Sequence, residues 1–445
     1  MKHLLKVAMA LSVVALISCV SPLSAKNQID GYEPTPEIIE AQQHFADNKF
    51  GIFIHWGTYS MVGHGEWYLN RPDITTAEYE KLASAFYPSH FNAKEWVSTI
   101  KASGAKYICI TSRHHDSFSM FNTEQSDYNI VDATPFGRDV LKELADECHS
   151  QGIDLHFYYS HLDWRRDDYP LGRTGRTTGR EQGKENYDTY FNFMNAQLTE
   201  LLTNYGKIGA IWFDGKWDHD GDDTEFDWRL DEQYALIHRL QPSCLIANNH
   251  HEVPFAGENI QIFERDLPGE NKAGYSGSNG ISRHLPLESC ETMNGMWGYK
   301  ISDQDYKSTK ELIHLLVRAA GKNANLLLNV GPQPNGILPD TAVARLREIG
   351  EWMSRYGNTI YGTRAGSVAP HSWGVTTAKD DKLFVHILDC QDASIFLPIE
   401  DKVVSARCLN TYKTLNVKKV NGGVVVDLKT VPTDIDYIVE MKIAK

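Results

Sequence analysis

The sequence predicts an α/β protein: a (β/α)8-type barrel with a parallel inner sheet, followed by an antiparallel β-sandwich. Three observations carry that prediction. Short apolar runs and amphipathic helical stretches alternate about seven or eight times between residues 48 and 356, the grammar of a parallel sheet wrapped by helices. Several of the runs stop on a polar side chain, as barrel strands do at the rim that carries chemistry. From about Gly366 the helical period disappears, and alternating strands over 382–389, 424–429 and 437–443 succeed one another through turns. The expected division is a leader over residues 1–25, a catalytic barrel over 32–365 and a sandwich over 366–445.

The run KIGAIWFDG at 207–215 organises the rest. Ile208, Ala210, Ile211, Trp212 and Phe213 are too few for a helix and apolar on both faces, which fits a strand covered on both sides. Asp214 ends it, and Gly215 permits a sharp turn. Upstream, NKFGIFIHWGTY (48–59) runs into His55 and Trp56, and Gly65-Glu66-Trp67 follows in a loop. A helix near 94–102 leads to a strand over 106–112 that ends in Arg113, His114, His115 and Asp116. Leu141, Leu144, Ala145 and Cys148 share one face of a helix closed by Gly152. The strand over 154–160 ends in Tyr158, Tyr159 and Ser160. Residues 164–184 are polar, rich in Gly and Arg and aperiodic, and so form a long excursion above a strand end. Then come helices over 187–204 and 232–240, a strand over 244–248 that runs into His250 and His251, and a short strand over 259–264. Ser308 and Glu311 form a capping box opening a helix to residue 320; a strand over 325–330 and a helix over 340–356 finish the barrel.

Composition narrows the function. A net charge of -14 argues against a nucleic-acid partner, whose phosphates need a basic face. Residues 1–25 have a basic start, an apolar core and small residues after it, the pattern of an export signal too short to span a bilayer. LISC at 16–19 resembles a bacterial lipobox, which would make Cys19 a lipid anchor; the alternative is cleavage near Ala25. Either places the protein outside the cytoplasm, as a periplasmic or cell-surface lipoprotein or as a secreted protein. The other six cysteines show no CxxC spacing and read as mostly buried thiols, with no zinc site.

His55, His114, His115, Tyr158, Asp214 and His250 all fall at predicted strand exits, hence on one rim. Such a set could hold a divalent metal, but His114 and His115 are adjacent and would point to opposite faces of an extended chain. The other chemistry is glycoside hydrolysis by two carboxylates, with neutral His, Tyr and Trp groups binding hydroxyls. Asp214 is then one member; Glu264, Glu270, Glu288 and Glu291 are open as the other, and spacing does not choose among them.

Six motifs, in order, resemble the α-L-fucosidase family of retaining glycoside hydrolases. They are FGIFIHWG (50–57) with Gly65-Glu66-Trp67, GAKY (104–107) with TSRHHDSF (111–118), YYS (158–160) through Trp164, IWFD (211–214), WGY (297–299) and NLLLNVGP (325–332). The resemblance implies that Asp214 is the nucleophile of a covalent fucosyl-enzyme intermediate. It implies that His55, Glu66, Trp67, His114, His115 and Tyr158 bind fucose hydroxyls, with Trp212 and Trp297 as aromatic walls. His250 stands where many members have a sugar-binding Arg. For the acid/base, Glu270 in Pro268-Gly269-Glu270 aligns best and Glu288 is the second choice. No metal or cofactor is implied; the substrate is a fucosylated glycan, and any membrane attachment is through a lipid anchor alone. A non-catalytic glycan-binding protein on the same barrel, or a related specificity such as galactose, is the alternative.

Overall fold

The computed structural model describes residues 32–275 and 280–444; the leader, with Cys19 and Ala25, lies outside the described residues. The chain opens with α1 (Pro36–Asn48) and continues through β1 (Phe50–Ile54), the short α2 (Thr76–Tyr79), α3 (Ala93–Ala102), β2 (Tyr107–Arg113), α4 (Val140–Gln151) and β3 (Asp154–Ser160). Next come α5 (Tyr187–Asn204), β4 (Ala210–Asp214), α6 (Leu230–Leu240), β5 (Leu245–Asn249), β6 (Gln261–Glu264) and β7 (Leu287–Thr292). The last three barrel elements are α7 (Thr309–Gly321), β8 (Ala324–Val330) and α8 (Asp340–Tyr356). Strands β1 to β8 form one parallel sheet in the order β5-β4-β3-β2-β1-β8-β7-β6. The two ends of that order meet through a single parallel bridge, Ala247 to Ile260, which closes the cylinder at one seam. The crossings from β5 to β6 and from β6 to β7 contain no α-helix among the described residues.

Local sequence explains the elements. Side chains of Asn92, Asp139, Asn186 and Ser308 accept hydrogen bonds from the first turns of α3, α4, α5 and α7, the last through the expected capping box with Glu311. Alternate strand residues then point outward to the helices or inward to the barrel axis. The inward set includes Phe53, Tyr107, Cys109, Tyr158, Trp212, Ala247, Cys290 and Leu327, a packed plug rather than a channel. Gly51 is part of that fit: a Cβ there would lie 2.4 Å from the Tyr107 ring. Glu288, on β7, is buried in this plug and accepts from Tyr107 Oη at 2.7 Å and Trp212 Nε1 at 2.9 Å.

The C-terminal strands are β9 (Arg364–Ala365), β10 (Gly374–Lys379), β11 (Lys382–Ile387), β12 (Ser394–Leu397), β13 (Val403–Cys408), β14 (Asn416–Val420), β15 (Gly423–Asp427) and β16 (Tyr437–Ile443). They form two antiparallel sheets, ordered β13-β16-β11-β10-β9 and β12-β15-β14, over their own core of Leu383, Val385, Leu397, Val426 and Val439. The sandwich sits against α7, where His314 Nε2 meets the Ile435 carbonyl at 2.6 Å and a Cβ on Gly321 would strike Val375. Cys109, Cys148, Cys244, Cys290 and Cys408 are buried thiols, and Cys390 is half-buried.

Candidate active site

At the C-terminal rim of the barrel a cavity of about 340 Å³ is lined by His55, Glu66, Trp67, His114, His115, Tyr158, Trp212, Asp214 and Trp297 from the expected set, and also by Phe53. Asp214 ends β4, where Gly215 turns the chain at φ 94°. Its Oδ1 accepts from the Gly215 amide at 2.8 Å and Trp217 Nε1 at 2.9 Å, and its Oδ2 from Tyr158 Oη at 2.9 Å. Burial, and then the neighbouring charge of Glu264, push the Asp214 carboxyl up to about 6, against the Trp217 and Tyr158 hydrogen bonds.

Besides Asp214 and Glu66, the cavity is lined by a further carboxylate, Glu264, at the end of β6. The Asn249 Nδ2 group reaches both acids, Glu264 Oε2 at 2.8 Å and Asp214 Oδ1 at 3.4 Å. Those two lengths cap the separation of the bonded oxygens below the roughly 6.5 Å at which inverting pairs begin. Burial raises the Glu264 carboxyl, but the His251 hydrogen bond and charge, Asn249 and Arg265 outweigh it and hold the group below its ordinary range.

Two of the cavity histidines, His55 and His115, present acceptor nitrogens. Asn329 donates to the Trp297 carbonyl, so its Oδ1 faces His55 Nδ1 at 2.7 Å and fixes the proton there. Burial lowers His55 to about 4, leaving a neutral ring with Nε2 as a lone-pair acceptor. Likewise Ser160 Oγ donates to the Leu162 carbonyl and accepts from His115 Nδ1 at 2.6 Å. Burial, then the charges of neighbouring groups, hold His114 and His115 well below the usual histidine range. Glu66 Oε2 accepts the Gly298 amide at 2.7 Å, and burial raises that carboxyl. The apolar side is Phe53, with the Trp212 ring at 5.1 Å and the Trp297 ring at 6.0 Å. Acceptor nitrogens on one side and aromatic faces on the other suit a sugar that carries hydroxyls on part of its ring and a methyl elsewhere.

Several expectations need correction. Glu270 does not line the cavity: past β6 the chain turns away, and Lys322 of the α7 end and Lys272 take its carboxylate at 3.0 and 2.7 Å. Burial alone would raise Glu270, but those lysines outweigh it and bring the group below its ordinary range, as His251 and Asn249 do for Glu264; what separates the two acids is that Glu270 lies outside the cavity. Glu288 does not line the cavity either; it lies beneath the floor, bonded to the Trp212 indole. His250 points away from the cavity into a buried contact with both Glu258 oxygens at 3.0 Å, while its neighbour His251, at φ 64°, lines the cavity. His114 and His115 do not diverge as an extended pair would. Strand β2 ends at Arg113, and the two rings lie 4.1 Å apart in the turn beyond it.

Sequence reasoning missed Phe53, Asn249, His251, Arg265, Arg173, Trp217 and Tyr275, all in the cavity wall. The rule that selected Asp214, a carboxylate ending a short strand, applies equally to Glu264 and was the available signal for it.

Comparison with known proteins agrees with this geometry. The sequence profile described as Alpha-L-fucosidase matches residues 19–358. Over 435 residues the chain is 28% identical to an alpha-L-fucosidase of Dictyostelium discoideum, spanning 89% of this chain and 88% of that one. The structure of alpha-L-fucosidase isoenzyme 1 from Paenibacillus thiaminolyticus is similar with a TM-score of 0.82 and 33% identity, covering 92% of this chain and 100% of the other. An alpha-L-fucosidase from Bacteroides thetaiotaomicron, trapped as a covalent intermediate with 2-fluoro-fucosyl fluoride, is similar with a TM-score of 0.77 and 26% identity, covering 91% and 96%.

Proposed function

Since this chain belongs to the α-L-fucosidase family of glycoside hydrolases, we propose that Asp214 and Glu264 are the pair with which it releases terminal L-fucose from fucosylated glycans. The observation that carries the pairing is the Asn249 amide shared between the two carboxylates. In the first step an Asp214 oxygen bonds to the anomeric carbon as the glycosidic C–O bond breaks, and Glu264 passes its proton to the departing oxygen. In the second, Glu264 takes a proton from water as that water's oxygen attacks the anomeric carbon and Asp214 leaves. Two displacements at one carbon retain its configuration.

Proton placement follows from the environments. The reactive state of the pair holds one proton. Burial and the neighbouring charge of Glu264 raise Asp214 to about 6, so the pair keeps one proton at acid pH, and in the reacting form that proton is on Glu264 with Asp214 ionised. Activity is therefore confined to acid pH, where the pair keeps its single proton.

His55, His114 and His115 accept sugar hydroxyl protons, while Phe53 and Trp297 face the C6 methyl. A ring carrying a C6 hydroxyl there would bury it against carbon, which costs roughly 1–3 kcal/mol. The test is Asp214→Gly: turnover falls by several orders of magnitude, and azide restores it as a fucosyl azide of opposite anomeric configuration. Wild-type release of inverted fucose refutes the reading.

Export is part of the same proposal. The basic start, apolar core and LISC of the leader support either an acylated Cys19 or cleavage near Ala25. Incorporation of labelled palmitate, lost in Cys19→Ala, supports the anchor; its absence with a mature terminus near residue 26 supports simple cleavage.

A further inference from the structure

We propose, resting on the fucosidase reading above, that the mouth of the pocket is an aglycone subsite for an anionic sugar, one bearing a carboxylate or a sulfate ester, and that Arg173 reads that charge. The excursion over residues 164–184 carries many cations, and nearly all of them are already committed. Arg165 reaches Glu80 at 2.5 Å, Arg166 reaches Asp168 at 2.6 Å, Arg180 donates to the Arg166 carbonyl at 2.8 Å, and Lys184 pairs with Glu181. Arg176 spends its Nε on the Gly172 carbonyl at 2.7 Å. Arg173 differs: among the described residues no carboxylate or carbonyl takes its guanidinium, which lines the active-site cavity and lies over the Trp217 ring at 5.3 Å.

Its placement is built. The backbone on either side of it is tied to the buried Asp218, whose carbonyl accepts the Arg173 amide at 2.9 Å and whose Oδ1 accepts the Thr174 amide at 2.8 Å. The loop passes so close there that a Cβ on Gly172 would lie 1.9 Å from Asp218 Oδ2. Trp217, beneath the guanidinium, is the indole that donates to Asp214, so the charge sits one ring away from the reacting carboxylate. Asp220, a carboxylate that feels this charge, pairs with Lys216 at 3.8 Å.

The position also fixes which part of the substrate can carry the charge. Asp214 and Glu264 line the inner cavity and would repel an anion on the fucose, whereas the mouth presents a cation and two ring stacks. Trp67 lies on Trp217 at 5.8 Å, and His251 lies on Tyr275 at 5.0 Å, flat faces on which a pyranose ring can rest. In a protein of net charge -14, long-range attraction does not draw an anionic glycan in, so a local, planar two-pronged donor is the fitting device.

The experiment compares kcat/KM on three fucosyl-galactosides of the linkage cleaved fastest: neutral, sulfated on the galactose, and with a carboxylate replacing the galactose hydroxymethyl. An uncharged aryl fucoside reports fucose release itself. Wild type prefers at least one anionic disaccharide, and Arg173→Gln lowers the anionic-to-neutral ratio about fivefold to tenfold. Arg173→Lys keeps part of the preference, Arg173→Glu inverts it, and salt near 0.5 M erases it in wild type. Whichever anionic arm responds identifies the group. A wild-type ratio at or below one, or a ratio unchanged in Arg173→Gln, overturns the subsite while leaving the fucosidase reading intact. No release from any of the substrates, the aryl fucoside included, overturns that reading.

Discussion

Replacing Glu264 by Ala, with Glu270→Ala beside it, discriminates the two acids by leaving group. Glu264 stands at the rim with its oxygen on the amide that also reaches Asp214, so its removal takes away proton donation to the departing oxygen. General acid catalysis contributes typically 10²–10⁴-fold, about 3–5 kcal/mol of barrier, and the full amount is felt only when the leaving group needs a proton. A fucosyl-galactoside, whose leaving alcohol is a poor one, is expected to lose on the order of a thousandfold in kcat/KM. A 2,4-dinitrophenyl fucoside is expected to lose less than about tenfold in the same parameter, with slowed breakdown of the fucosyl-enzyme visible as a burst. Azide should speed that breakdown and give a fucosyl azide of retained configuration, the anomer opposite to that from Asp214→Gly. Glu270→Ala removes ion pairs with Lys322 and Lys272, one of them mostly solvated, worth about 0–1 kcal/mol of stability, and should leave both substrates within twofold. If Glu270→Ala instead shows the leaving-group dependence and Glu264→Ala does not, the pairing argument is wrong.

Three further outcomes are expected. In the free enzyme, kcat/KM should fall about tenfold per pH unit above about 6, as the pair gives up its last proton, and should fall again at lower pH as both acids become protonated. His251→Phe, which removes a contact favouring the Glu264 carboxylate, should move the acid limb upward; a plateau extending to pH 8 contradicts the assignment. Burial raises Glu288 to about 7, so the folded state disfavours its charge, and stability is lost as pH climbs from the unfolded value near 4.5 toward 7. Glu288→Gln should abolish that decline, worth on the order of 3 kcal/mol, in thermal melts compared with wild type across this window; parallel curves for the two proteins speak against it. Gly51→Ala should cost about 1–3 kcal/mol in denaturant titration, because the added carbon meets the buried Tyr107 ring; an unchanged midpoint shows that the ring yields freely.

The sequence was most legible where one residue type has one place to go. Apolar runs of β1 to β4 announce buried strands, and their terminal His55, Tyr158 and Asp214 do gather at one rim. Legibility failed where the chain leaves the strand. The alternation that would send His114 and His115 apart ends at Arg113, and the same one-residue change of direction exchanges His250 for His251. Strand β7 was not predicted because LESCET is half polar, and its Glu288 is accommodated only by donors from β2 and β4, which no local pattern reveals. Choosing between Glu264 and Glu270 needed Lys322, 52 residues away from Glu270 along the chain.

The seam between β5 and β6 has a mechanical consequence. Asp214 sits on β4, on the near side of that joint, and Glu264 on β6, beyond it, while Asn249 at the tip of β5 spans it. The gap between the two acids is therefore set by how tightly the cylinder is laced along its one thinly stitched edge. Slackening that edge by an ångström or two would carry the gap from the span suited to direct attack toward one that admits an intervening water. On the proposed pairing, substitutions at Ala247 and Ile260, remote from the sugar, are expected to change the share of inverted fucose released, which the anomeric configuration of the first product reports.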